Sequence, residues 1–299
     1  MNTVIVIGNG FDIDLGWQTS YMKFFMTRYG HKSVSDNNDT LLQYIINHAG
    51  KKENWYDLEK MLFDYSLLRS EVVVSEQQIH NDLMDYQEIK TQLVKFIKEQ
   101  SSKPVNKDSY AYRLLKKYME VCKANRLSPD LIPKLFSFNY TDLKGVAKLI
   151  DPKSDFLYEA VHGTLSDNNI IFGFHNDVAI KGDYRSFQKS FDDAYESHNI
   201  LPALIDATNI VFFGMSMGYI DSPYYEEVLK QTSTVGGYNS RMHKNITFIT
   251  YDKESKLNIK NNLLDIGIDT QVLSNTNSVN FFLTSEKGNT VFDTILNTI

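Results

Sequence analysis

The chain has little of what usually settles a protein's class. It holds one cysteine, Cys122, in 299 residues. A single thiol closes no internal disulfide, and no cysteine–histidine cluster suggests zinc. Its context, Met119-Glu120-Val121-Cys122-Lys123, reads as helix, so the thiol is expected to be a structural apolar group. Positive charge is not in excess. The formal net charge of −6 gives no basic footprint for duplex nucleic acid, although a local basic patch would be hidden in that sum. No apolar run reaches the length of a membrane span, and the first one stops at Gly8, too early for a signal peptide. These absences lead to the expectation of a soluble, cytoplasmic protein with no membrane partner and no strong nucleic-acid signal. There is no internal repeat and no low-complexity segment.

What is present alternates between strand and helix. Residues 3–7 form a β-branched run without polar alternation, which suits a strand buried on both faces of a parallel sheet. Gly8-Asn9-Gly10 ends it. A helix is expected from Ser20 to about Tyr29, capped by Ser20 or Thr19. From about Thr40 to Arg126 the pattern is helical throughout, with a linker at Ser101–Asn106. Strands return at Lys134–Phe138, Asp155–Val161, Ala207–Phe213, Asn245–Tyr251 and, briefly, Thr270–Leu273. Asn169–Phe174 reads as a further strand or edge hairpin. Helices are expected up to Ile150, over Glu254–Leu264, and from Thr284 or later. The implied fold is α/β: a Rossmann-like parallel sheet with helices on both faces. One domain spans 1–299, and residues 40–128 are a large all-helical insertion packed on the sheet side.

Ligands of open parallel sheets lie beyond the carboxyl ends of the strands. Polar and glycine residues gather at four such ends here: Gly8-Asn9-Gly10-Phe11-Asp12, Asn139-Tyr140-Thr141-Asp142, His162-Gly163, and Gly214-Met215-Ser216-Met217-Gly218. In the first turn, glycines allow close approach of a phosphate, and N–H groups opening the next helix favour negative charge. The usual dinucleotide fingerprint is incomplete, because Ile13 stands where a third glycine belongs. No Lys-Ser or Lys-Thr follows, which excludes a Walker-type loop. His162 can serve as a general base near neutral pH. The Asn139 amide both donates and accepts, which suits a ribose hydroxyl or a water. Trp55 and Glu59 share a helical face while Asp57 points elsewhere, so they read as a solvated acidic face beside a core tryptophan rather than paired carboxylates. His175 and Asp177 lack a third ligand, and no metal is expected. His31, His48, His80, His198 and His243 show no site-like spacing.

Taken in order along the chain, these pieces resemble the bacteriophage abortive-infection AbiH family. They are Val6–Asp12 with Thr19-Ser20-Tyr21, Trp55-Tyr56-Asp57-Leu58-Glu59, Phe136–Thr141, His162-Gly163, and Phe213-Gly214-Met215-Ser216 with Asp221. They also resemble, more distantly, the sirtuin-like fold. That resemblance implies a single sirtuin-like α/β domain that binds NAD. Asn139 and His162 would be its catalytic residues. Gly8, Asn9, Gly10, Phe11, Asp12, Tyr140, Gly214, Ser216 and Asp221 would hold the nucleotide. The first turn departs from that fold's Gly-Ala-Gly, and zinc-binding cysteines are missing, which argues against protein deacylation.

The expected function is an antiphage effector that binds NAD and hydrolyses its nicotinamide–ribose bond, an NAD glycohydrolase. The alternative is a nucleotide-binding sensor acting with a partner protein. A third reading, cleavage of another nucleotide or of nucleic acid, is weakened by the low basic content and the lack of a metal-ligand cluster. Besides the nucleotide ligand, a phage-derived trigger, a defence partner and a second copy of the chain stay open as partners.

Overall fold

A computed structural model describes residues 2–31, 40–49, 58–153, 156–175, 180, 182–196, 198–234, 243–286 and 291–299. In chain order the elements begin with β1 (Thr3–Ile7), α1 (Asn9–Asp14), α2 (Tyr21–Arg28), α3 (Leu41–Ala49), α4 (Leu58–Ser70), α5 (Glu76–Ser101) and α6 (Tyr110–Ala124). Then come β2 (Lys134–Ser137), α7 (Leu143–Ile150), β3 (Glu159–Ala160), α8 (Ile200–Asp206), β4 (Asn209–Phe213) and α9 (Glu226–Ser233). The chain ends with β5 (Asn245–Thr250), α10 (Lys253–Asp265), α11 (Thr270–Thr276), β6 (Ser278–Leu283) and α12 (Val291–Asn297).

Contacts divide the chain into two compact units, one of Met1–Trp17, Lys103–Thr164 and Ser197–Ile299, the other of Gln18–Ser102 and Leu165–Glu196. The first holds a six-stranded sheet of order β3-β2-β1-β4-β5-β6, parallel throughout. This is the order of dinucleotide-binding sheets, with its reversal between β1 and β4. Alternate side chains of each strand enter opposite layers, as the period of two requires. Val4, Val6, Ile210, Phe212, Ile246 and Phe248 pack against α8–α11. Ile5, Ile7, Leu135, Val211, Phe213 and Ile249 pack against α6, α7 and α12. Burial on both faces explains why β1 and β4 read as continuous apolar runs. Phe212, Phe248 and Phe281 stand in one register across β4, β5 and β6, with ring centroids 5.4 and 5.0 Å apart. Cys122 is buried on α6, and burial pushes its thiol pKa up.

The second unit gathers α2–α5 with the segment 165–196. Ser20 caps α2, accepting from Lys23 N–H at 3.3 Å. The unit turns on Asp82 of α5, whose carboxylate is fully buried. It accepts from Tyr65 and Tyr184 hydroxyls, both at 2.7 Å, from Gln78 Nε2 at 2.9 Å, and from Leu41 N–H at 3.0 Å. Asp85 accepts from Leu42 N–H at 2.9 Å, so α5 caps the start of α3 from outside that helix.

Several expectations change. Residues 270–273 are not a strand: Asp269 accepts from Gln271 N–H at 2.7 Å and opens α11, and the edge strand β6 follows it. Asn169–Phe174 contains no strand, only one bridge from Phe174 to Gln188. Of Asp155–Val161 only Glu159–Ala160 pairs, and Asp155 lies outside the described residues. The helical block expected over 40–128 is divided: α3–α5 fall in the second unit, and α6 packs on the sheet of the first.

Candidate functional site

Every candidate residue belongs to the sheet unit and sits at a strand's carboxyl end or just beyond. The first turn is more tightly committed than its sequence suggests. Gly8 N–H donates to Phe213 O, Gly10 N–H to Gly214 O and Phe11 N–H to Gly8 O, each at 2.9 Å. Three amides expected to face a phosphate are thus given to backbone carbonyls. A Cβ on Gly10 would lie 2.6 Å from Gly214 Cα, and one on Gly214, where φ is +67°, would lie 2.2 Å from Phe11 N. Only glycine permits this crossing of the β1 and β4 loops. The Phe11 ring is in the core, edge-on to Phe213 at 5.1 Å. Asn9 is half-buried on α1.

Asp12 is 1% exposed, and its carboxylate is the centre of a buried knot. Asn139 Nδ2 donates to Asp12 Oδ1 at 2.8 Å and to Gly8 O at 3.0 Å. Thr141 Oγ1 lies 3.0 Å from both Asp12 oxygens. Both amide hydrogens of Asn139 are therefore spent, which leaves its Oδ1 as the atom that can meet a ligand. Asn139 is a residue that ties the end of β2 to the end of β1. Thr141, part of the strand-end cluster but given no role from the sequence, belongs to the same knot. Asp142 caps α7 through Lys144 N–H at 2.9 Å.

His162 follows β3 and is 3% exposed. Its Nε2 lies 3.6 Å from Asp221 Oδ1, close but beyond hydrogen-bond length. Asp221 stands beside the histidine, with its side chain 23% exposed. Phe138 and Tyr224 were also missed in the sequence. The Phe138 ring is edge-on to His162 at 5.1 Å, and Tyr140 and Tyr224 are 6.2 and 6.1 Å away. A histidine in an aromatic collar with one carboxylate at its rim can take up a proton and have the charge offset. The loop after β4 carries backbone strain: Met217, fully buried, has φ +57°. Such outliers persist where surrounding structure enforces them. Ser216 is held through its carbonyl, which accepts from Asn262 Nδ2 at 2.8 Å.

Two sequence features lie in the second unit. Trp55 and Asp57 are outside the described residues. Glu59 is not on a solvated face; it is buried and ion-paired, with Lys189 Nζ 3.1 Å from Oε2. Asp177 is outside the described residues. His175 is partly buried, and desolvation, then the Lys189 charge, push its pKa down to about 3. Among the described residues, no group of three or more metal-binding side chains occurs, and no helix is long and apolar enough to cross a membrane.

No curated protein and no solved structure matches the chain. A model for the family described as bacteriophage abortive infection AbiH does match, over residues 4–236. That span contains the first turn, the Asp12 knot and the His162–Asp221 pair; the chain belongs to the bacteriophage abortive infection AbiH family.

Proposed function

We propose that the chain is an abortive-infection effector that cleaves the nicotinamide–ribose bond of NAD beyond the carboxyl ends of β1, β2 and β3. The observation that carries this reading is His162 Nε2 3.6 Å from Asp221 Oδ1. Support also comes from the sheet order and from family membership. Nicotinamide leaves as a neutral molecule, taking the electron pair of the broken C–N bond, so it needs little acid help. The ribose left behind has oxocarbenium character, the species glycosidases stabilise with carboxylates. The partly exposed Asp221 is the carboxylate suited to that charge. Water adds to ribose C1′ and passes its proton to His162, whose imidazolium is then offset by Asp221. Asn139 positions the β1 and β2 loops and offers Oδ1 to a ribose hydroxyl.

The test follows nicotinamide release from NAD by purified protein and NAD levels in phage-infected cells. His162→Ala and Asp221→Asn should each cut turnover by about a hundredfold or more. Depletion of NAD on infection should occur with the wild type and not with either variant. Equal activity of wild type and variants refutes the mechanism.

A second reading is a sensor that binds a nucleotide without cleaving it. It is favoured by the commitment of Gly8, Gly10 and Asn139 to internal hydrogen bonds, which makes the strand ends a rigid scaffold. Mass spectrometry separates the two: an intact nucleotide that co-purifies and survives long incubation supports the sensor.

A further inference from the structure

The lysines of α10 form a basic groove that the net charge conceals. Lys253, Lys256 and Lys260 recur at helical spacing on one face of the helix, beside the edge strand β6. With Phe281, Leu257, Leu283 and Glu286 they line a groove of about 450 Å³. Lys256 Nζ stands 4.9 Å from the centre of the Phe281 ring and Lys260 Nζ 5.7 Å from it. Among the described residues none of the three ammonium groups is in a salt bridge with a carboxylate. Lysine stems often cover exposed aromatic surface. That accounts for Lys256 and Lys260 but gives no reason for Lys253, nor for three ammonium groups facing a single carboxylate, Glu286, in one groove of a protein of net charge −6. Like charges one helical turn apart repel, and an anion in the groove would relieve this.

We propose that this groove binds a single strand of nucleic acid, with phosphodiesters on Lys253, Lys256 and Lys260 and a base against Phe281. Ammonium groups tracking a backbone beside an aromatic face are the usual means of holding a single strand without reading its sequence. The Phe281 ring stacks on Phe248 with centroids 5.0 Å apart, and a base reaches it as the Lys256 and Lys260 ammonium groups now over the ring turn to the phosphodiesters. The groove lies outside residues 4–236, so it is a feature of this chain beyond the span that matches its family. It also stands independently of any NAD chemistry.

The test is fluorescence anisotropy of labelled oligo-dT and oligo-U with the full chain over a salt series. Three ammonium contacts predict that log affinity falls with log salt at a slope of about −2. Lys253→Gln/Lys256→Gln/Lys260→Gln should weaken binding at least tenfold at low salt and flatten the slope, and Phe281→Leu should weaken it severalfold. An unchanged melting profile shows that the variants fold. The proposal is overturned by no binding of either oligonucleotide at about 100 µM protein in low salt, or by a triple variant that binds like the wild type. It is also overturned if inorganic phosphate competes as well as the oligonucleotide, or if the chain prefers phosphatidylserine vesicles to either strand.

Discussion

Replacing Asn139 with alanine removes two hydrogen bonds from one buried amide. One runs to the Asp12 carboxylate at 2.8 Å, the other to Gly8 O at 3.0 Å. A hydrogen bond to a charged group contributes about 1.5–3 kcal/mol and a neutral one about 0.5–1.5, so the expected loss is about 3 kcal/mol. Thr141 still reaches the carboxylate, which keeps the loss from rising further. For a domain of this size the melting temperature should fall by roughly 6–12 °C. Asn139→Asp should be worse at neutral pH, because it sets a second carboxylate against Asp12. Urea unfolding followed by circular dichroism measures both. The double variant Asp12→Asn/Asn139→Ala completes a cycle, and its loss should fall short of the sum of the single losses, since the two residues share one bond. A loss below about 1 kcal/mol for Asn139→Ala would refute the reading of Asn139 as the tie between the loops. The result also bears on catalysis: lost turnover in Asn139→Ala can be read as chemistry only after the loss of stability is taken into account.

Other outcomes follow from the same geometry. Gly214→Ala puts a Cβ 2.2 Å from Phe11 N at a φ of +67°, so the variant should be insoluble or melt more than about 10 °C lower, read by thermal denaturation. His175 should stay neutral by NMR titration from pH 8 to pH 4, since its pKa is pushed down to about 3. The unfolded chain takes up that proton near pH 6.5. The contribution to stability is therefore complete above about 6.5 and is lost as pH falls from there toward about 3. Between pH 6.5 and 5, wild type should lose about 2 kcal/mol more than His175→Gln in urea unfolding, and equal losses would contradict the burial argument.

The sequence made the interior strands legible because β1 and β4 are buried on both faces and carry continuous apolar runs, while β5 is rich in β-branched residues. β6 was harder to find. It follows a segment rich in β-branched residues that Asp269 turns into a helix, and no local pattern ranks a cap above a strand propensity. β3 was overread because apolar residues before Glu159 serve packing rather than pairing: Phe156 fills the α6 and α7 layer. The positions of the site residues at strand ends were legible from the strand pattern. Their partners were not. Asn139 meets Asp12 across 127 positions of chain, and Glu59 meets Lys189 across 130. Lys189 carried no motif at all. Hydrogen bonds of such separation are set by tertiary packing, and the same residue types at the same local spacing would read alike without them.

The hydrogen bond from Gly10 to Gly214 makes the two central loops one mechanical piece. In many open α/β sheets the gap at the strand-order reversal is a cleft into which a ligand slides. Here that cleft is sutured. Displacement of either loop is felt by the other. The suture therefore confers a stiff hinge line, and any rearrangement there would have to move both loops together or break a bond that leaves no room for any residue but glycine.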